Sequence, residues 1–217
     1  MNILIVGIQG SGKGTQSEFL STYYNLKHIS TGDVLRQHIA DKTPFGLKYE
    51  EEYAKGGLAP DSVLFDIVEY ETSNLSGKSG YILDGFPRNI AQAEWIVHNL
   101  VIDKIIYLVS DNLSTMSSRI ISRGRVDDND SAINRRFTTF ISETVPAINH
   151  VMSSIPHENT LLIEACNGID HVSGDIMMQI NGEFTNEMHR FASLDEYHVA
   201  CMMLEFIPLF IALLFLY

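Results

Sequence analysis

Residues 3–16 read ILIVGIQGSGKGTQ: four apolar residues, Ile3 to Val6, run directly into a glycine-rich stretch that carries a single lysine. The apolar run is short, continuous and stopped by Gly7, the pattern of a strand buried on both faces of a parallel sheet. Gly7, Gly12 and Lys13 satisfy the spacing of a phosphate-binding loop between a strand and a helix. Glycines let successive backbone N–H groups curl around phosphate oxygens at the positive end of a helix. Lys13 adds a mobile cation that can follow a phosphoryl group. The pattern departs at one position. Gly14 stands where a Ser or Thr normally follows the lysine, and the hydroxyl comes one residue later, on Thr15. Mg2+ is therefore expected to be held through waters and a carboxylate elsewhere in the chain.

Beyond the loop, strands alternate with helices. A helix is expected over about Lys13 to Tyr24, with Phe19, Leu20 and Tyr23 on its inner face. His28-Ile29-Ser30 reads as a second strand, with Thr31 as a candidate cap for the next helix. Several helices fill residues 31–76. Gly80 to Leu83 reads as a third strand, stopped by Asp84-Gly85-Phe86-Pro87. Lys104 to Val109 is a fourth, followed by a helix over 112–122 and a polar loop from Arg123 to Asp130. A long helix from Ser131 to Met152, a fifth strand from Thr160 to Ile163 and a last helix from His171 to Ile180 complete the series. This alternation implies a parallel sheet covered on both faces.

The chain has 217 residues and a net charge of −12. The length suits one domain with a modest appendage. The acidic balance argues against a nucleic-acid partner, because phosphate backbones demand a basic face. Eight arginines are present, and seven of them lie between Arg36 and Arg136, which points to a local anion site. Two cysteines, Cys166 and Cys201, form no framework. With no basic, apolar leader at the start, a cytoplasmic location is expected. The character changes at Thr185. Residues 199–217, VACMMLEFIPLFIALLFLY, are long enough to cross a bilayer as a helix. Glu205 and Pro208 in the middle of that stretch count against an anchor, and packing on the core or self-association are the other readings.

Three further blocks join the glycine loop in a fixed order: STGDVLR (30–36), DGFPRNIAQAE (84–94) and GRVDDND (124–130). Over residues 1–183 the chain resembles the adenylate kinase family of nucleoside monophosphate kinases. The resemblance implies an α/β, three-layer P-loop kinase fold: a five-stranded parallel sheet flanked by helices, with a helical NMP-binding insert and a very short lid. The core is expected at 1–30, 77–122 and 131–184, the insert at about 31–60, the lid at about 123–130 and a tail at 185–217. The implied reaction is reversible phosphoryl transfer from MgATP to AMP by a monomer, with no structural zinc.

Residue by residue, the resemblance assigns ATP to Gly10, Ser11, Gly12, Lys13, Gly14 and Thr15. Arg123 falls on the ATP phosphates, Arg119 near the base, and Asp170 in the segment that turns its backbone toward adenine. Arg36 and Arg88 grip the AMP phosphate, as their forked guanidinium groups suit. Arg125 and Arg136 match the lid-side arginines that contact the transferring phosphoryl group and the AMP phosphate. Asp84 either orients Mg2+-bound water or caps the helix that follows Pro87. Asp127 and Asp128 serve lid closure or cap the next helix. Gly57, Leu58 and Ala59 wall the AMP site beside Gly85.

Base choice rests on Thr31 and Gln92, where UMP/CMP kinases tend to carry Ala and Asn. A glutamine amide both donates to and accepts from the edge of adenine. The alternatives are a UMP/CMP kinase and a nucleotide-binding module without turnover. Phosphoryl transfer to a phosphate needs no general base, and His28, His38 and His98 are expected to be packing or surface residues. Departures from the family pattern are Gln9 in place of a proline, Gly57 in place of a bulkier residue, and a lid clipped to Arg123-Gly124-Arg125.

Overall fold

A computed structural model describes residues 1–44, 46–47, 50, 60–110, 112–124 and 130–182. Five strands form one parallel sheet: β1 (Ile3–Gly7), β2 (Lys27–Ser30), β3 (Tyr81–Asp84), β4 (Lys104–Val109) and β5 (Thr160–Glu164). Their spatial order is β2-β3-β1-β4-β5. The helices among the described residues are α1 (Lys13–Tyr23), α2 (Thr31–Ala40), α3 (Asp61–Ser73), α4 (Ile90–Asn99), α5 (Leu113–Ser122), α6 (Asp130–Thr139), α7 (Val145–Met152) and α8 (Ile169–Ile180). None of the described helices is long and apolar enough to cross a membrane.

The run Ile3 to Val6 is apolar throughout because β1 is the central strand, and every one of its residues is buried. Successive side chains point to opposite faces. Leu4 and Val6 pack with Ile29, Leu83, Ile105 and Tyr107 beneath α3, α4 and α7. Ile3 and Ile5 pack with Leu20, Ile82, Ile106 and Leu108 beneath α1 and α8. One strand therefore seeds two cores, one on each side of the sheet. The chain leaves β1 toward β2 and β3 on one side and later places β4 on the other. The carboxyl end of β1 is thus the point where the winding reverses, and ligands of open α/β sheets bind outside such ends. In register, Ile5 faces Asp84 of β3, and Asp84 faces Ser30 of β2. The ends of three strands and the glycine loop consequently share one edge.

The structure corrects several expectations. Phe19 and Tyr23 do not face inward: they are 42% and 59% exposed and stack on each other at 6.3 Å. The buried residues of α1 are Gln16, Ser17 and Leu20, and at 3.6 residues per turn Phe19 and Tyr23 fall to one side of that stripe. Thr31 is not the cap of α2 but its first residue, with Ser30 at the cap position. Asn89, not Asp84, caps α4, its side chain accepting the Gln92 backbone N–H at 2.9 Å. Strand β3 runs through Asp84 rather than stopping before it.

The helix expected over 131–152 is interrupted by a π-helical turn at Phe140–Thr144. Pro146, at the start of α7, explains this: it has no N–H for the carbonyl four residues back, and its ring crowds that carbonyl. The wider turn lets Thr144 donate through Oγ1 to the Arg88 carbonyl at 3.0 Å, tying this helix to the loop after β3. The expected insert wall (Gly57, Leu58, Ala59), the lid residues Arg125, Asp127 and Asp128 and the tail from 183 lie outside the described residues.

The two faces of α1 are expected to respond differently to truncation. Leu20→Ala removes a wholly buried side chain and should cost about 2–5 kcal/mol, whereas Phe19→Ala should stay within about 0.5 kcal/mol, both read by denaturant unfolding.

Candidate active site

The turn from β1 into α1 is built by glycines. Gly10 has φ of +87°, and a Cβ there would sit 2.6 Å from the Met116 carbonyl, so only glycine fits. Gly12 caps α1 in the left-handed conformation with φ of +92°. The first turn of α1 has no acidic residue to compete for its free N–H groups. The Ser11 hydroxyl is buried in the loop with no hydrogen-bond partner. Gly14 and Thr15 are exposed along that first turn.

Lys13 folds back across the loop and donates from Nζ to the carbonyl oxygens of Gly7, at 2.7 Å, and Ile8, at 3.0 Å. Its pKa falls from 10.5 to about 8, chiefly because burial strips water from the ammonium. Asp84 opposes this shift, while Arg88 and Arg123 add to it. Three other sequence-predicted residues therefore lie close enough for Lys13 to feel their charge. Asp84 is 9% exposed at the end of β3, near the first turn of α1. His28 of β2 stands beside it, Nε2 3.7 Å from Oδ2.

A second group gathers around Gly85. Thr31 is 2% exposed and donates from Oγ1 to the Gly85 carbonyl at 3.4 Å. Arg88 donates from Nε to the same carbonyl at 2.9 Å. Gln92 is 3% exposed, and its Oε1 accepts the Arg88 backbone N–H at 2.6 Å. Arg36 lies on the same helix as Thr31 but is paired with Asp33 one turn back. Arg136 is half-buried on α6.

A third group lies where β5 enters α8. Arg119 donates to the carbonyls of Ala165, at 2.6 Å, Cys166, at 3.2 Å, and Asn167, at 3.3 Å. Gln16 of α1 donates to the Ile169 carbonyl at 3.1 Å and accepts from the Ser173 hydroxyl at 2.8 Å. The 165–169 segment is thereby pinned from two sides, with Asp170 exposed just beyond it.

Three contributors were not legible in the sequence: Gln16, Asn89 and Asp61. Asp61 heads α3 and accepts from the Gln92 amide at 2.6 Å. A Pro-Asp pair opening a helix was the available signal for it. A concavity of about 340 Å³ between Asn2, Tyr81, Trp95 and Leu100 opens at the opposite, amino end of the sheet. It brings no cation into play.

A family model described as adenylate kinase matches residues 5–155. The chain is 37% identical to adenylate kinase 1 of Nostoc sp. over 153 residues, covering 68% of this chain and 83% of that protein. It is 31% identical to the adenylate kinase of Trichodesmium erythraeum over 192 residues, 83% of this chain and 98% of that protein. The adenylate kinase of Bifidobacterium longum is 36% identical over 191 residues, 83% of this chain and the whole of that protein.

The lowered pKa of Lys13 has a sign that binding can read. Below about pH 8 the lysine is charged in folded and unfolded chains alike, so the cost of burying it is constant; the cost fades as pH rises toward 10.5. A bound polyphosphate restores the charged form. Binding of ATP, whose phosphates are fully ionised by pH 8, should therefore take up a proton at pH 9 and weaken by up to about tenfold per pH unit above 8. Calorimetry in buffers of different ionisation enthalpy checks this, with Lys13→Arg expected to show a flat profile.

Proposed function

The chain belongs to the adenylate kinase family, and from that premise we propose that it moves the terminal phosphoryl group of MgATP reversibly onto AMP, giving two ADP. An oxygen of the AMP phosphate bonds to the γ-phosphorus as the bond to the β–γ bridging oxygen breaks, and the electron pair leaves with ADP. The nucleophile is already an anion, so no proton has to be removed first. What the protein must supply is positioning and charge.

The observation that carries this reading is Lys13, folded across the glycine turn into α1 and within the field of Asp84, Arg88 and Arg123. In the proposal, the loop N–H groups and Lys13 hold the ATP phosphates, and Arg123 neutralises charge on the transferring group. The carbonyl-rich segment that Arg119 braces offers backbone to the ATP base. Thr31, Gly85, Arg88 and Gln92 take AMP, joined on closure by Arg36, Arg125 and Arg136. The insert at about 31–60 and the short lid at about 123–130 are the parts that close.

A single buried carboxylate at the edge of the phosphate site suits Mg2+, which keeps most of its waters and binds phosphate oxygens directly. Asp84 would hold those waters, and the ion would offset charge on the phosphates. Asp84 and Lys13, of opposite charge, favour each other's ionised forms.

The test is ADP formation from MgATP with AMP, CMP, UMP or GMP as acceptor. Turnover is expected with AMP far above the others. Lys13→Ala should lower kcat by at least about a hundredfold, as removal of a group that stabilises transition-state charge does. Preference for CMP or UMP would make the chain a pyrimidine monophosphate kinase, and nucleotide binding with no ADP would make it a non-catalytic module.

A further inference from the structure

Gln92 is nearly sealed from solvent, and both ends of its amide are already engaged. Nε2 donates to Asp61 Oδ1 at 2.6 Å, and Oε1 accepts the Arg88 N–H at 2.6 Å. A carboxylate only accepts and a backbone N–H only donates. The two partners therefore allow one orientation of the amide; a flip would set Oε1 against the carboxylate and two N–H groups against each other. Asp61 does not wander. It opens α3, where an acid suits the positive helix end. Asn89 also donates to both of its oxygens, at 3.2 and 3.1 Å. Phe65 of the same helix stacks on Trp95 of α4 at 5.0 Å, with Phe86 edge-on to both.

With those two bonds made, the amide keeps one N–H and one lone pair. We infer that Asp61 positions Gln92 for specificity: by fixing which end of the buried amide donates, its carboxylate sets the site for a 6-amino purine monophosphate and against a 6-oxo one. This rests on the assignment of the Thr31–Gly85–Gln92 group to the acceptor nucleotide. Adenine presents an acceptor at N1 and a donor at N6, which a fixed N–H and a fixed carbonyl complement. Hypoxanthine presents N1–H and O6, the reverse, and meets donor with donor and acceptor with acceptor. Leaving buried polar groups mismatched is a strong source of rejection. Asp61 touches no substrate. It acts through Gln92 alone.

The test compares kcat/KM for AMP and for inosine monophosphate, which shares the purine frame but inverts the edge. The full chain is measured as wild type, Asp61→Asn and Asn89→Ser. Asparagine is isosteric and presents either a donor or an acceptor to Gln92, so it tolerates both amide orientations. The AMP:IMP ratio is expected to fall on the order of tenfold in Asp61→Asn, the remaining selectivity coming from the Arg88 N–H. Asp61→Ser should move the ratio in the same direction and serves if the asparagine variant does not fold. Asn89→Ser can still cap α4 but cannot reach Asp61, which the start of α3 and the Gln92 amide still hold, so it should lower Tm and cost the ratio clearly less than Asp61→Asn does. An unchanged ratio in a folded Asp61 variant, or an equal collapse in Asn89→Ser, would reduce Asp61 to a latch between α3 and α4 and overturn the inference. A wild-type chain that makes no ADP from AMP would instead overturn the functional reading itself, and the inference with it.

Discussion

The site depends on the double burial of β1. A strand covered on both faces has no room for polar side chains along its length, so its chemistry is displaced to its carboxyl end. There the chain must turn tightly enough to start a helix that packs back on the same strand. Gly10 and Gly12 supply the left-handed conformations for that turn, and Gly10 lies so close to Met116 that any side chain would clash. The first turn of α1 leaves backbone N–H groups without partners inside the helix. Pairing of β1 with β3 then brings Asp84 to the same edge, and pairing of β3 with β2 brings Ser30 and Thr31 beside it. Packing of the apolar core and placement of the polar site are one constraint.

The electrostatics follow from that placement. A chain of net charge −12 sets Arg88 and Arg123 within reach of Lys13, whose burial pushes its pKa down to about 8. Cations crowded into a partly dry site without anions are costly, and a bound phosphate relieves that cost. Arginine pairing elsewhere has the same character. Arg119 spends its donors on three backbone carbonyls, making it a brace for the 165–169 segment. Arg36 rests on Asp33, a partner that an incoming phosphate would have to outcompete.

Much of this was legible in the sequence, and the reasons differ by element. The central strands β1, β3 and β4 read clearly because strands buried on both faces write themselves as apolar runs. The glycine loop and the DGFPR block were legible because their backbone conformations admit few residues. The inner face of α1 was misread because Phe19 and Tyr23 are large and apolar, yet they lie off the stripe set by Gln16, Ser17 and Leu20. The π turn at Phe140–Thr144 leaves no mark in the sequence beyond Pro146, because the helical pattern runs on through both sides of it. The Pro60-Asp61 pair marks a helix start but says nothing of what Asp61 touches. Its partner Gln92 lies 31 positions away, and nothing local in either segment announces that two helix N-termini meet.

The central claim is that two phosphate chains meet at the carboxyl edge of β1 and exchange a phosphoryl group. The most direct measurement is a phosphorus-31 NMR time course of the full chain with ADP and Mg2+ alone. The account predicts that ATP and AMP grow in equal amounts at the expense of ADP, without release of inorganic phosphate. ADP that stays unchanged, or that decays to AMP and inorganic phosphate, would contradict it.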